Sequence, residues 1–410
     1  MASLRRINQD DLRNHNLSVV IDTLLRNIEP MSRAELAKAT GLTKATMSLL
    51  VPILIDAGVV REGDPVAAAA FGRPSTPLAI AGGVLCGVGM QVNTDGYGTT
   101  VVDLDGSTIA GEWVERPMGG SDPAEVFAAL DELVARHERE VTARGWRVAG
   151  AGLALPGLVT DDMRLLTARN LGWADLDLRR FDVVARLDAR GGNEANMAAL
   201  AQIPGYATQR RRKGIVGPGD SFLYVSADIG IGGAYVRDGR LVTGDRGFAG
   251  EIGHVSLSLD GPRCSCGRLG CLEAYVGRRA LVERAGLAHG EEAVRIESFE
   301  ALAQLLRAGE SRAVACADEA VRVLSSIVAS AVNMLDVGTV LLGGLWERFG
   351  SGFTERIERE ANAQLLGRPA VQVRVRMPEV GGHPALRGAA KLGLRRFIDD
   401  PLGFVGGAEG

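Results

Sequence analysis

Four residues within eighteen positions have the types and spacing to hold a metal: His254, Cys264, Cys266 and Cys271. One imidazole and three thiolates are soft or borderline donors and can close a tetrahedron around zinc. Gly261, Gly267 and Gly270 lie between them, where a short loop must turn tightly enough to bring the sulfurs together. Glu251 and Glu273 flank the cluster, so a metal there sits beside two carboxylates. The alternatives are a redox cysteine pair and unrelated buried thiols. The lead of His254 over Cys-x-Cys-x4-Cys favours a structural zinc with four protein ligands in a loop spanning 254–271.

The frame that must position this loop is a large one. A chain of 410 residues exceeds one ordinary core, and two or three domains are expected. With 46% hydrophobic and 23% charged residues it reads as globular, not disordered. No apolar run reaches the roughly 20 residues needed to cross a bilayer, so no membrane association is expected. The opening residues Met1–Asp11 lack the apolar stretch of a secretion signal. Outside the cluster only Cys86 and Cys316 remain, an unpersuasive disulfide pair, and reduced cytoplasm is the expected compartment. Residues 1–85 hold nine Lys/Arg against eight Asp/Glu, a balance of +1, so the remainder carries −5 of the net −4. Charge alone therefore does not point to a nucleic acid.

The pattern of the N-terminal segment does. Leu17, Val20, Ile21, Leu24, Leu25 and Ile28 recur at helical spacing over 15–28. Ser32 and Glu35 form a capping box ahead of a helix over Arg33–Ala39, and Gly41 supplies a tight turn. Thr43 then caps a second helix carrying Met47, Leu50, Val51, Leu54 and Ile55 as far as Gly58. This is a helix-turn-helix whose second helix enters the major groove N-terminus first, with Thr43, Lys44, Thr46 and Ser48 nearest the DNA. A strand at Val59–Glu62 and a hairpin over 66–78 complete a winged domain spanning 1–82, with Arg73 at the wing tip within reach of phosphate or minor groove. An ordinary helical bundle is the plainer alternative.

Beyond residue 83 strands alternate with helices, predicting an α/β domain over 83–410 made of two lobes with a ligand cleft between them. Strands are expected at Val84–Val92, Gly98–Asp103, Thr108–Glu115, Val148–Ala154, Phe222–Ser226 and Thr339–Leu342, and helices at Pro123–Arg144 and Ala313–Leu335. A glycine-rich turn runs from Asp228 to Ala234, and the basic run Gln209–Lys213 reads as a solvated loop.

Gly250-Glu251-Ile252-Gly253-His254 and the Cys-x-Cys-Gly-x-x-Gly-Cys-x-Glu run ending at Glu273 resemble the ROK family of sugar-responsive repressors, uncharacterised frames and sugar kinases. Asn193-Glu194-Ala195-Asn196 is similar to a further motif of that family, with one change. The resemblance covers about residues 83–400 and implies an actin-like ATPase fold, here preceded by a winged helix-turn-helix. It also implies a pyranose site at Gly157, Asn193, Glu194, Glu251, His254 and Glu273. A hydroxyl both donates and accepts, so carboxylates and an Asn amide read it well.

The motifs of the family's kinases are altered. Glu194 stands where they carry a catalytic Asp, and the extra methylene displaces the carboxylate by about 1 Å, enough to cost on the order of a hundredfold. Gln91-Val92-Asn93-Thr94-Asp95 replaces Asp-x-Gly-Gly-Thr in the first phosphate loop, and Asp228-Ile229-Gly230 replaces Gly-Thr-Gly in the second. Both put a carboxylate where phosphate lies. The resemblance therefore implies a regulator without phosphoryl transfer, most simply a repressor. Its partners are double-stranded operator DNA and a monosaccharide, and it forms a homodimer or homotetramer. An ATP-dependent sugar kinase with an added DNA-binding domain is the alternative.

Overall fold

The computed structural model describes residues 8–27, 29–64, 75–203 and 221–405. The N-terminal head opens with α1 (Gln9–Arg26), which starts earlier than the apolar spacing indicates because Asn8 and Asp11 form a capping box. Strand β1 (Met31–Ser32) leads into α2 (Arg33–Thr40), where Ser32 Oγ accepts from the Glu35 amide and Glu35 answers the Ser32 amide. Gly41 adopts φ +73°, the left-handed turn residue, before α3 (Lys44–Asp56). The two helices cross at 113°, within the helix-turn-helix range of about 90–120°.

The wing differs from expectation. β2 (Val60–Glu62) pairs antiparallel with β3 (Pro77–Ile80), Arg61 facing Ala79, and β1 adds to the other edge of β3. Of the 66–78 segment first read as the hairpin, Pro77 and Leu78 belong to this stem, which begins at β2 and runs on to Ile80. Ile28, residues 65–74 with Arg73, and the basic run 209–213 fall outside the described residues.

The first lobe contains β4 (Leu85–Val92), β5 (Gly96–Asp103), β6 (Thr108–Glu115), α4 (Pro123–Ala143) and β7 (Arg147–Leu155). Then follow a small sheet of β8 (Leu158–Val159), β9 (Arg164–Ala168) and β10 (Trp173–Asp177), helix α5 (Asp182–Arg186), β11 (Arg190–Asn193) and α6 (Glu194–Gln202). The second lobe begins with β12 (Phe222–Ala227), β13 (Ile231–Arg237) and β14 (Arg240–Val242), followed by α7 (Glu273–Val276), α8 (Arg278–Arg284), α9 (Ile296–Arg307) and α10 (Ser311–Leu335). β15 (Thr339–Gly344), α11 (Ser351–Asn362) and β16 (Arg374–Arg376) complete it, and α12 (Pro384–Asp399) and α13 (Leu402–Val405) return to pack on the first lobe. Part of the glycine-rich run after Asp228 is therefore strand, not loop.

The two lobes repeat one plan. Three antiparallel strands are extended on the inner edge by two parallel ones, giving the orders β11-β7-β4-β5-β6 and β16-β15-β12-β13-β14. Helices α6 and α12 pack on each other between the sheets. Ala154 of the first lobe, Met197 and Ala198 of α6, Phe222 and Tyr224 of the second lobe, and Ala389 of α12 share one apolar cluster. α12 lies almost on the first sheet: a Cβ at Gly89 would meet the Leu386 carbonyl at 2.2 Å, and one at Gly152 the Ala389 carbonyl at 2.1 Å. The head is not a separate bead. Leu17, Val20 and Leu24 of α1 share a core with Leu85, Leu394, Phe397 and Ile398. Cys86 and Cys316 are buried free thiols in the cores of different lobes.

Candidate functional site

The candidate site between the lobes is carried by the Gly157 turn, the β4–β5 and β12–β13 turns, the start of α6 and the segment 251–278. Asn193 caps α6: its Oδ1 accepts from the Ala195 amide at 2.8 Å and its Nδ2 donates to the Gly157 carbonyl at 2.8 Å. Most of its hydrogen-bonding capacity thus fixes backbone, which makes Asn193 a positioning residue as much as a ligand contact. Gly157, at φ +94°, is packed so closely that a Cβ would meet the Thr167 carbonyl at 2.0 Å.

Glu194, next on α6, points at the first of the altered loops. Gln91 Nε2 and Asn93 Nδ2 both donate to its Oε1, the latter at 3.4 Å. Burial, reinforced by the charges of Asp228 and Asp95, pushes its carboxyl up to about 8, although the two amides oppose the shift. At neutral pH the group is mostly protonated and can donate as well as accept.

On the opposite wall, Glu273 ties three segments together. Its Oε2 accepts from the Ile231 amide at 3.1 Å, and its Oε1 accepts from Ser265 Oγ at 3.1 Å and from Cys264 Sγ at 3.6 Å. Glu251 is raised by burial and by Glu273, against the pull of His254. Glu251, His254 and Glu273 thus form one electrostatic group, as their flanking positions suggested.

The thiol cluster is assembled. The ligand atoms of His254, Cys264, Cys266 and Cys271 lie within 4.8 Å of one another. Cys264 Sγ stands 3.7 Å from His254 Nδ1, and Cys266 Sγ stands 3.7 Å from Cys271 Sγ. The edge of a zinc–sulfur tetrahedron is about 3.8 Å for bonds near 2.3 Å, so the cage has the right size. Burial and the neighbouring thiols push Cys271 up to about 12, so a dication bound there would have to displace its proton. The loop is also fastened across the cleft, Arg169 Nη1 donating to the Ser265 carbonyl at 3.0 Å.

At the phosphate loops the expectation of two bare carboxylates fails. Arg278, fully buried at the start of α8, donates from Nη1 and Nη2 to Asp95 at 3.0 and 2.5 Å, and from Nη2 also to Asp228. Nη1 donates in addition to the Val294 carbonyl at 2.6 Å. In the sequence Arg278 gave no signal, since Arg278-Arg279 reads as a solvated pair. Asn170, whose Nδ2 approaches the Gly230 turn, was missed likewise.

In the head, Thr43 Oγ1 accepts from the Thr46 amide at 3.1 Å as the N-cap of α3. Thr43, Lys44 and Ser48 are exposed and Thr46 partly so, as a recognition face requires.

A family model of the ROK family matches residues 88–396. The chain belongs to the ROK family. Among ROK relatives, a xylose repressor of Caldicellulosiruptor bescii is 27% identical over 96% of this chain and 98% of its own length. The transcriptional dual regulator NagC of Escherichia coli is 24% identical over 88% of each chain. A solved ROK transcriptional regulator, described as a homolog of the E. coli MLC protein, superposes with TM-score 0.75 at 22% identity, covering 96% of this chain and 99% of that one. A ROK hexokinase from Thermus thermophilus gives 0.60 at 29% identity, covering 75% of this chain and 97% of that one. The actin-like two-lobed fold is therefore that of ROK proteins. The regulators align through the head as well, whereas the hexokinase covers only a part of this chain of the two-lobed domain's size.

Proposed function

We propose that this chain is a sugar-responsive transcriptional repressor: α3 binds operator DNA, a monosaccharide enters the interlobe cleft, and no phosphoryl group is transferred. The observation that carries this reading is the continuous core joining a helix-turn-helix to a sugar-kinase-like body whose phosphate loops are bridged by Arg278. ROK regulators of this length, named as repressors of xylose and N-acetylglucosamine genes, support it. Gly157, Asn193, Glu194, Glu251, His254 and Glu273 form the sugar site, with Asn193 acting chiefly through Gly157 and the start of α6. Thr43, Lys44, Thr46 and Ser48 face DNA.

The metal we assign to His254, Cys264, Cys266 and Cys271 is a structural zinc. Bound there, it would hold the imidazole by one ring nitrogen and leave the other for a sugar hydroxyl.

A sugar alters operator affinity only if it binds one head arrangement better than another. The connections for this are in place. On α1, Asn14 joins Asp400 and the Leu402 amide, and Asp22 joins Arg395 of α12 at 3.2 Å. Arg26, also on α1, donates to the Gly239 carbonyl of the second lobe at 3.3 Å. One helix of the head thus holds both lobes, around a cavity of about 330 Å³. A lobe rotation must turn it. Pseudo-palindromic operators call for a homodimer or homotetramer, and the exposed apolar side chains of Met334 and Leu366, 82% and 90% accessible, fit a face between copies. The five free cysteines support a cytoplasmic location.

Calorimetric titration with D-xylose, D-glucose and N-acetylglucosamine, alongside an ADP-release assay, tests the reading. One sugar is expected to bind and none to release ADP; sugar-dependent ADP release would favour the kinase reading instead.

A further inference from the structure

The cleft holds two carboxylates and one guanidinium at its floor. Asp95 comes from the β4–β5 turn of the first lobe, Asp228 from the β12–β13 turn of the second, and Arg278 from α8 behind them. Arg278 is completely buried, while Asp95 and Asp228 keep about a third of their side chains open to the cleft. Arg278 Nε has no partner among the described residues. Its orientation is therefore fixed by the terminal nitrogens, which reach the two carboxylates and the Val294 carbonyl.

Each end of this bridge continues into the proposed sugar site. The Asp95 amide donates to Asn93 Oδ1 at 2.9 Å, and Asn93 Nδ2 donates to Glu194. Past Asp228, the same turn presents the Ile231 amide to Glu273. Glu273 and Arg278 lie five positions apart on one segment leading out of the thiol loop.

We infer that Arg278 is a resident cation that replaces a bound nucleotide: by bridging Asp95 and Asp228 it closes the phosphate position and holds the two lobes in register for sugar. The reading rests on the proposed sugar-regulator function. Its logic is electrostatic. Two carboxylates facing each other across a cleft drive the lobes apart unless a cation lies between them. In this chain that cation is covalently part of the second lobe, always present and independent of ATP. A planar fork reaches two carboxylates at once, which a lysine ammonium does not do with the same geometry.

The test uses the full chain and its Arg278→Ala and Arg278→Lys variants, with amide hydrogen exchange followed at the 92–96 and 228–231 turns. Arg278→Ala is expected to raise exchange in both turns by about tenfold or more, and millimolar guanidinium chloride to reverse it, whereas urea at the same concentration does not. Arg278→Lys, the fallback if the alanine variant fails to fold, is expected to protect one turn and release the other. Mg-ATP is expected to leave wild-type exchange unchanged. Unchanged exchange in a folded Arg278→Ala chain, no rescue by guanidinium, equal protection by lysine, or protection of wild type by Mg-ATP would each overturn the inference. None of these readouts needs sugar. A separate titration with D-xylose, D-glucose and N-acetylglucosamine that finds no binding to wild type would count against the sugar site and leave the bridge standing.

Discussion

Replacing Glu194 with Gln should change the pH dependence of stability in one direction only. The folded chain holds the Glu194 proton up to about 8, against an ordinary value of 4.5. Between those values the folded state binds a proton that the unfolded state has released. The stability from this group is whole below the unfolded pKa and is lost as pH rises through the folded one. At about 1.4 kcal/mol per unit, a shift of that size corresponds to about 5 kcal/mol as an upper figure. Cleft water reduces it, because Glu194 is only partly buried, so roughly 2–3 kcal/mol is the working value. Burial sets the raised pKa first; the charges of Asp228 and Asp95 raise it further, and the Gln91 and Asn93 amides lower it. Glu194→Gln removes the ionisation and keeps the shape. Thermal melting of both proteins across pH 5–9.5 should give coincident curves at the acid end, with the Gln variant melting several degrees higher at the alkaline end. Parallel curves over the whole range would refute the assignment of a protonated carboxyl at the cleft floor.

Four further outcomes are expected. Chelation, or Cys264→Ser, should remove one zinc per chain, measured by atomic absorption, and lower the melting temperature; a wild-type preparation without zinc under reducing conditions would contradict the metal assignment. Arg26→Ala should leave operator affinity without sugar nearly unchanged but shrink the sugar effect roughly threefold, since a partly exposed contact contributes on the order of 0.5–1 kcal/mol. Lys44→Ala should reduce the slope of log affinity against log salt by about 0.9, if Lys44 contacts one phosphate. Ser32→Ala should destabilise the head by about 1 kcal/mol through loss of the capping box, read as a lower midpoint in urea without change in sugar binding.

The head was legible in the sequence because its signals are local. Ser32, Glu35, Gly41 and Thr43 act on backbone within four residues of themselves, so their types alone place α2 and α3. Strands β4 to β7 were legible for the same reason, being apolar runs bounded by turns. The metal cage was legible from spacing. Elements whose patterns are set by distant neighbours were not. α12 does carry an apolar stripe, Leu386, Ala389, Ala390, Leu394, Phe397 and Ile398, but its small residues owe their places to the close approach of the first sheet, which nothing local announces. β11 reads Arg-Gly-Gly-Asn, and its strand form comes from pairing with β7. α1 began earlier than its apolar stripe because its first two turns are polar and held by the Asn8 cap. Arg278 could not be read at all: nothing local distinguishes a buried bridging arginine from the exposed Arg279 beside it. The same holds for the altered loops, where sequence gave Asp95 and Asp228 as repulsive charges and the fold supplies the cation between them.

The central claim, that sugar in the cleft governs DNA binding by the head, is tested most directly by fluorescence anisotropy with DNA upstream of the chain's own gene and of adjacent sugar genes. It should be run at fixed salt with and without each monosaccharide. Specific binding that one sugar changes by about tenfold, the middle of the usual coupling range, is the expected result. Absence of specific binding under every condition, or tight binding indifferent to every sugar, would contradict the account.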